Sequence, residues 1–440
     1  MKKTLIIVVL IVTMWSLLAA EDLSLERAVA LAQNNNPELK AAEVEMNSAK
    51  KSLQSSYLGL IPSATLNYNK FFMNPGSQTG LDETSTTQIS ASQPIFNGGK
   101  IFLSTKIAAN AYEIKQETYH SKFLEINSET ETKFYSVQSN REMVKVLEKT
   151  LEQSVTNLEI AQAKYNAGLL SNAELLQMQS EKLSKELDLI NMQNAYELSK
   201  LSLADYIGLF ENFEVEEFSI AGFEELLLMI SNIKGSKQRE IEERLIEQGE
   251  MSNPTLLISE LGINSAEQAK LMTAGNLLPS LNLSYNYTWQ NSNMYEDYEG
   301  SSTLGIVASL PIFPIADNAL DYQSASYDLK SSEHNFESAQ NAIVLAIRSS
   351  FLNLLTSAKA VESAKLGSEY AWETWYQMRE RFEQGMVSSN DLLSIEVLVI
   401  SSDNNYITAR QRLLESISQL TMLLGMQNNE QLINLINQEG

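Results

Sequence analysis

The sequence predicts an α+β membrane protein built from two internal repeats, each a β-hairpin joined to a long helical hairpin. Three observations carry this. Matching residues recur at one offset of 217 positions, a stretch of about seventy residues lacks glycine and proline while apolar residues return every three or four positions, and shorter segments alternate apolar and polar residues.

The offset carries Asn36-Pro37 onto Asn253-Pro254, Asn47-Ser48-Ala49 onto Asn264-Ser265-Ala266, Pro62-Ser63 onto Pro279-Ser280 and Tyr68-Asn69 onto Tyr285-Asn286. It also carries Pro94-Ile95-Phe96 onto Pro311-Ile312-Phe313, Gly168 onto Gly385, Leu175-Leu176 onto Leu392-Leu393 and Gly208 onto Gly425. An offset that never slips requires equal element lengths in both halves. The implied division is a leader at 1–20, a first repeat at 21–208 with its β-hairpin at 63–96, an insert at 209–250, a second repeat at 251–425 with its β-hairpin at 280–313, and a tail at 426–440.

Between Lys100 and Ala167 there is no Gly or Pro, and Val144, Leu147, Leu151, Val155, Leu158, Ala161 and Tyr165 repeat at helical spacing. One helix of about seventy residues reaches roughly 100 Å. Asn166-Ala167-Gly168 reverses it, and a return helix from about Ser171 to Ile207 places Leu176, Leu183, Leu187, Ile190 and Leu198 on its expected seam. A helix from about Leu23 to Leu60 completes the unit, and the second half repeats it near 240–278, 316–384 and 388–424.

The clearest strand is Leu281 to Gln290, which alternates without a fault; its counterpart puts Ala64, Leu66 and Tyr68 on one face and Ser63, Thr65, Asn67 and Asn69 on the other. The returning strands place Ile89 and Ala91 against Gln88, Ser90 and Ser92, and Leu304, Ile306, Ala308 and Leu310 against Thr303 and Ser309, with polar hairpin loops expected at 73–86 and 291–302. Strands of about ten residues, apolar outside and polar inside, suit a transmembrane barrel. A soluble sheet with one wet face shows the same alternation. Four strands cannot close in hydrocarbon, so a barrel requires oligomerisation: two chains give eight strands with a filled interior, and three give twelve with room for a lumen.

Composition narrows the function. The chain has 440 residues, with 18 Gly, 8 Pro, 2 His and no Cys, which argues against a compact sandwich and excludes disulfides, thiolate metal sites and cysteine nucleophiles. A formal charge of −23 argues against a nucleic-acid partner. Lys2 and Lys3 precede an apolar run, Thr4 to Leu18, that ends in Ala19-Ala20 before Glu21-Asp22. That pattern reads as a signal peptide cleaved after Ala20, because about fifteen apolar residues fall short of the roughly twenty that span a bilayer. Cleavage removes two lysines and no acid, deepening the charge from −23 to −25, and leaves no Cys for lipid attachment. No later stretch reads as apolar enough for a membrane helix.

The opening Leu23-Ser24-Leu25-Glu26-Arg27-Ala28, then Asn34-Asn35-Asn36-Pro37-Glu38-Leu39, the paired Leu-Pro-Ser strand entries, the Pro-Ile-Phe strand exits and the Gly-containing turns together resemble the TolC-like outer-membrane efflux protein family over nearly all of the chain. The resemblance implies a homotrimer: a 12-stranded barrel in outer-membrane lipid, four strands per chain, continuous with a 12-helix tunnel across the periplasm. It further implies docking to a periplasmic adaptor and an inner-membrane pump of RND, ABC or MFS type, so that the chain is a passive exit duct for efflux or type I secretion. By position it places a tunnel constriction at Asp391 and its mate Glu174. The second acidic site falls on Ser394, and a basic latch position on Val387, both departures from the family pattern. Gly168, Leu169, Leu170, Gly385, Met386 and Val387 resemble adaptor-docking turns, and the acidic insert with the tail resembles the belt around the tunnel. Three carboxylates around a pore would favour cations. Caps are the competing reading, since Ser388 or Ser389, and Ser171 or Asn172, precede these acids at helix starts. The insert's charge run is expected to be a solvated face, and Tyr165 and Phe382 are expected to pack in grooves.

No catalytic constellation is present. His120 and His334 are not repeat mates, and Gly98-Gly99-Lys100 lacks the rest of a phosphate cradle, so no enzyme activity, cofactor or metal site is expected. A trimeric coiled-coil adhesin or envelope spacer is the alternative class; it needs one barrel segment and a stalk, and does not account for two returning repeats.

Overall fold

The computed structural model describes residues 22–73, 82–210, 213–292, 295–310, 312 and 315–437. The expected signal peptide, Pro311 and Phe313 lie outside them. In chain order the elements are α1 (Leu25–Asn35), α2 (Pro37–Leu58), β1 (Ser63–Met73), β2 (Asp82–Asn97), α3 (Lys100–Asn166), α4 (Asn172–Ile207), α5 (Ile220–Ser231), α6 (Ser236–Ser252), α7 (Pro254–Ala274), β3 (Ser280–Ser292), β4 (Tyr295–Ser309), α8 (Ile315–Glu383), α9 (Ser389–Leu423) and α10 (Asn429–Asn437). The chain divides into two compact units, one of residues 41–120 and 254–341, the other of the described parts of 1–40, 121–253 and 342–440.

The first unit holds one four-stranded sheet in the order β1-β2-β3-β4, every pair antiparallel. Register aligns the alternation across all four strands. Thr65, Ser90, Asn286 and Thr303 form one polar row, while Ala64, Ala91, Tyr285 and Leu304 form an adjacent row on the opposite face. Leu66 is 69% exposed and Leu304 70%, with Tyr68 and Ile306 also exposed, so among the described residues much of this apolar face lies open. The outer edges of β1 and β4 have no partner strand among the described residues. The ladder shifts register between Pro94 and Phe96, where proline offers no N–H. Of the loops expected at 73–86 and 291–302, the stretches 82–86 and 295–302 are strand instead, because polar residues such as Thr86 and Ser301 keep their backbone ladder against Asn69 and Thr288; residues 74–81 and 293–294 lie outside the described residues. Behind the sheet, a Cβ on Gly98 would strike the carbonyl of Gly275 and one on Gly275 that of Gly98, an approach only paired glycines allow.

The second unit is helical. The helices expected at Leu23–Leu60 and 240–278 are each broken at Asn-Pro, giving α1 and α2 in one half and α6 and α7 in the other. Asn36 Nδ2 donates to Tyr206 O at 3.3 Å, and 217 positions on Asn253 Nδ2 donates to Leu423 O at 2.8 Å. The breaks are thus pinned to the ends of α4 and α9. Gly208 and Gly425, at φ +66° and +68°, terminate these helices with the same doubled carbonyl capture: Leu209 N–H to Ala204 O at 2.9 Å, and Met426 N–H to Thr421 O at 3.0 Å.

The insert folds into α5 and α6 and shares a core with the tail. Phe223, Ile241 and Leu245 pack with Ile347, Phe351 and Leu354 of α8, Leu413 and Leu420 of α9, and Leu432 and Ile436 of α10. Its acids lie mostly on an exposed face, as expected, and three of them pair with lysines there: Glu214 takes Lys200 Nζ at 2.9 Å, Glu217 takes Lys145 at 2.7 Å and Glu224 takes Lys365 at 2.7 Å. Contrary to expectation, Ala316–Glu383 of α8 contains a stretch long and apolar enough to cross a membrane by length and composition, 28% of it buried. Ile347, Phe351, Leu354, Ala358 and Val361 of that helix are core residues.

The expected seam of α4 is corrected most sharply. Leu176, Leu183, Leu187, Ile190 and Leu198 are all more than half exposed, and Leu175, Met178, Lys185, Lys200, Leu203 and Ile207 are buried in their place. On α3 the buried stripe reads Leu147, Thr150, Ser154, Asn157 and Ala161, which is heptad spacing carried by small and polar side chains. Counting apolar residues alone misses it.

Candidate functional site: the two helix turns

Two turns in the helical unit, Ala167–Ser171 and Gln384–Ser388, are built alike from sequence upward. Each has as its second residue a glycine in the left-handed region, Gly168 at φ +73° and Gly385 at φ +76°. Its N–H and that of the next residue recapture carbonyls of the ending helix: Gly168 to Tyr165 O at 2.9 Å and Leu169 to Lys164 O at 2.8 Å, then Gly385 to Phe382 O at 2.9 Å and Met386 to Arg381 O at 2.9 Å.

The next helix then starts on a reciprocal cap. Glu174 N–H donates to Ser171 Oγ at 3.2 Å, and its carboxylate accepts the Ser171 N–H at 3.0 Å and hydroxyl at 2.7 Å. Asp391 and Ser388 repeat the arrangement at 3.2, 3.1 and 2.7 Å. The Ser171 backbone N–H and hydroxyl hold the Glu174 carboxyl below its ordinary value of 4.5. The Ser388 hydroxyl and N–H likewise hold Asp391 below 3.8. Both therefore remain negative through neutral pH. Ser394, one turn further, is exposed and donates to Asn390 O at 2.8 Å on its own helix.

The six turn residues separate into two kinds. Leu169 is 77% exposed and its offset mate Met386 is 70% exposed, whereas Leu170 and Val387 are half-buried against a shared core of Ala161, Leu175, Trp375, Phe382 and Leu392. One apolar residue per turn thus points outward and one anchors. Phe382 packs inside as expected, but Tyr165 is exposed and serves the turn through its carbonyl. Lys164 joins the turns, since its ammonium lies 4.1 Å from the Phe382 ring centroid and donates to the Phe382 carbonyl. Gln177 Nε2 reaches Asn390 Oδ1 at 3.4 Å. Sequence reading missed Lys164, whose signal is a lone cation four residues before a turn glycine. It also missed the buried Asn157, Lys185 and Glu396 nearby, whose signal is polar residues at heptad positions.

Among the described residues no group of three or more His, Asp or Glu is placed to hold a metal. The turns offer charge at Glu174 and Asp391 and exposed apolar surface at Leu169 and Met386.

The chain is similar to known proteins throughout. Residues 28–209 and 245–426 each match the family described as outer membrane efflux protein. Outer membrane protein TolC of Salmonella enteritidis is 21% identical over 420 residues, covering 92% of this chain and 82% of that protein. Its counterpart of the same name in Escherichia coli (strain K12) is 21% identical over 427 residues, covering 92% and 83%. A solved structure of CusC superposes with a TM-score of 0.80 at 14% identity, covering 92% of this chain and 93% of that one. The Campylobacter jejuni CmeC outer membrane channel superposes at 0.74 with 17% identity, covering 93% and 88%. With both halves matched separately and most of its length covered, the chain belongs to the outer membrane efflux protein family and is an outer-membrane efflux channel component.

Proposed function

We propose that three copies of this chain close their sheets into one 12-stranded barrel, and their helices into a 12-helix tunnel whose periplasmic end is formed by the two turns. The observation that carries this is the four-stranded sheet with two unpartnered edges and one exposed apolar face, a form that hydrocarbon tolerates only when closed. The exposed leucines of α4 supply the further surface that closure would bury. Two repeats per chain, with the boundaries given above, belong to the same reading.

At the turns, Asp391 and Glu174 bring negative charge to the tunnel mouth, with Ser394 beside them as a neutral neighbour. The family role as exit duct then calls for partners. Leu169 and Met386, held outward by Gly168 and Gly385 and anchored by Leu170 and Val387, are the surface proposed to meet a periplasmic adaptor coupled to an inner-membrane pump. The reading leaves RND, ABC and MFS pumps as candidate partners, and assigns choice of cargo to the pump.

The test is photo-crosslinking from position 386, with mass spectrometry of the captured product. Capture of a periplasmic adaptor is expected. Capture of only other copies of this chain, in an intact oligomer, would contradict tip docking and favour a spacer.

A further inference from the structure

Far from the turns, the helical unit holds a carboxylate whose partners are all neutral. Glu131 lies on α3, roughly 55 Å along that helix from the turn at Gly168. Ser418 of α9 donates its hydroxyl to Glu131 Oε2, and Asn429, the first residue of α10, donates Nδ2 to the same oxygen at 2.9 Å. Thr421 Oγ1 fixes that amide by donating to Asn429 Oδ1 at 2.8 Å. One turn back on α3, Asn127 Nδ2 reaches Gln427 O at 3.4 Å, and Gln33 Nε2 of α1 donates to Asn127 Oδ1 at 2.9 Å. Two side chains therefore tie the start of the C-terminal tail to α3, and Glu131 is the one that can titrate.

The tie is made away from water: Ser418, Thr421 and Asn127 are 2%, 4% and 6% exposed, and Glu131 itself is half-buried. Among the described residues no lysine, arginine or histidine pairs with Glu131. The space beside the carboxylate is about 10 Å³, enough for about one water and too small for a hydrated cation. The titratable groups at this cluster are Tyr135, one turn on along α3, and Glu26 of α1 beside it, while α9 and α10 present the neutral Ser418, Thr421 and Asn429. Neither Tyr135 nor Glu26 supplies positive charge. Both donors converge on Oε2, which leaves Oε1 able to carry a proton without breaking either hydrogen bond. The repeat does not call for an acid here, since the mate of Glu131 at the 217 offset is Arg348, which is exposed and pairs with Glu242 of α6 at 3.0 Å.

We propose that Glu131 is a proton-binding site that fastens the start of the C-terminal tail to α3, holding residues 427–431 tightly in acid and more loosely as pH rises. Every contact involved lies within one chain, so the site does not depend on the duct reading.

Burial pushes the Glu131 carboxyl above its ordinary value of 4.5, and the hydrogen bonds from Ser418 and Asn429 offset this only in part. With the tail untied the carboxyl meets water and returns toward that ordinary value. The tie is therefore fully present below 4.5 and weakens as pH rises through the raised value. Burial and the neighbouring Glu131 charge push the Tyr135 hydroxyl up as well, so Tyr135 stays neutral throughout.

The test is hydrogen exchange of residues 426–437 in the full-length, detergent-extracted protein, corrected at each pH for the intrinsic exchange rate. Wild type is expected to lose protection there several-fold between mildly acidic and mildly alkaline pH, with a slope of at most about tenfold per pH unit for one proton. Glu131→Gln keeps an acceptor for Ser418 and Asn429 without the charge, and should give a flat profile as protected as acidic wild type. A flat wild-type profile, which needs no variant to read, or an undiminished slope in Glu131→Gln would overturn the site. Asn429→Ala removes the tail's own donor and leaves α3 intact; it should bring protection at acidic pH down to the alkaline wild-type level. Acidic protection unchanged in Asn429→Ala would show that Glu131 does not act through the tail.

Discussion

Asp391 has two jobs that substitution separates. Its carboxylate completes a cap with Ser388 and, in the proposed duct, contributes charge at the mouth. Ser388→Ala removes the cap and keeps the charge, and should cost about 0.5–2 kcal/mol of local helix stability with ion preference intact. Asp391→Asn keeps an acceptor but loses the charge, and should reduce cation preference, read as a shift of reversal potential in a salt gradient across a planar bilayer. An unchanged reversal potential in Asp391→Asn would remove Asp391 from the constriction. Because folding lowers both carboxyl values, the caps' stabilisation is present above the ordinary 3.8 and 4.5 and is lost only as pH falls below them. Cation preference should follow the same window. Both acids and their serines were legible in the sequence as a capping pattern; their equivalence in geometry was not.

Elements of regular period were read well, and elements set by tertiary packing were not. The strands appear where alternation places them, yet extend into polar segments that backbone pairing alone supports. The breaks at Asn36-Pro37 and Asn253-Pro254 were visible as repeat marks, but their effect on the helices depends on the ends of α4 and α9 lying within hydrogen-bonding reach. On α4 an apolar stripe was read as the seam, while Lys185 and Lys200 lie on the face buried within the chain. Sequence period gives a face but not which partner covers it. Since the leucines are exposed in the single chain, Leu183→Glu/Leu187→Glu should abolish oligomers while leaving the helical circular dichroism of the chain intact. Loss of both together would place those leucines in the chain's own fold. Gly385→Ala should cost about 1–2 kcal/mol through its positive φ alone, because open space surrounds the added methyl. Thermal unfolding of Gly385→Ala against an exposed mid-helix Ala substitution measures it.

Among its described residues one chain leaves uncovered two strand edges, much of one apolar sheet face, the leucines of α4 and one apolar residue at each turn. Each is costly in isolation and is resolved by outer-membrane lipid, by further copies of the chain or by the proposed adaptor. Leu304→Arg tests the lipid assignment. It should cost on the order of 2–4 kcal/mol if the residue lies near the bilayer midplane, seen as a reduced yield of outer-membrane oligomer. Normal yield would put that face against water or protein. Copy number separates a closed duct from an open sheet, and native mass spectrometry of the protein extracted from outer membranes reads it. Three chains are expected; a stable single chain, or a pair closing an eight-stranded barrel, would rule out the twelve-stranded duct.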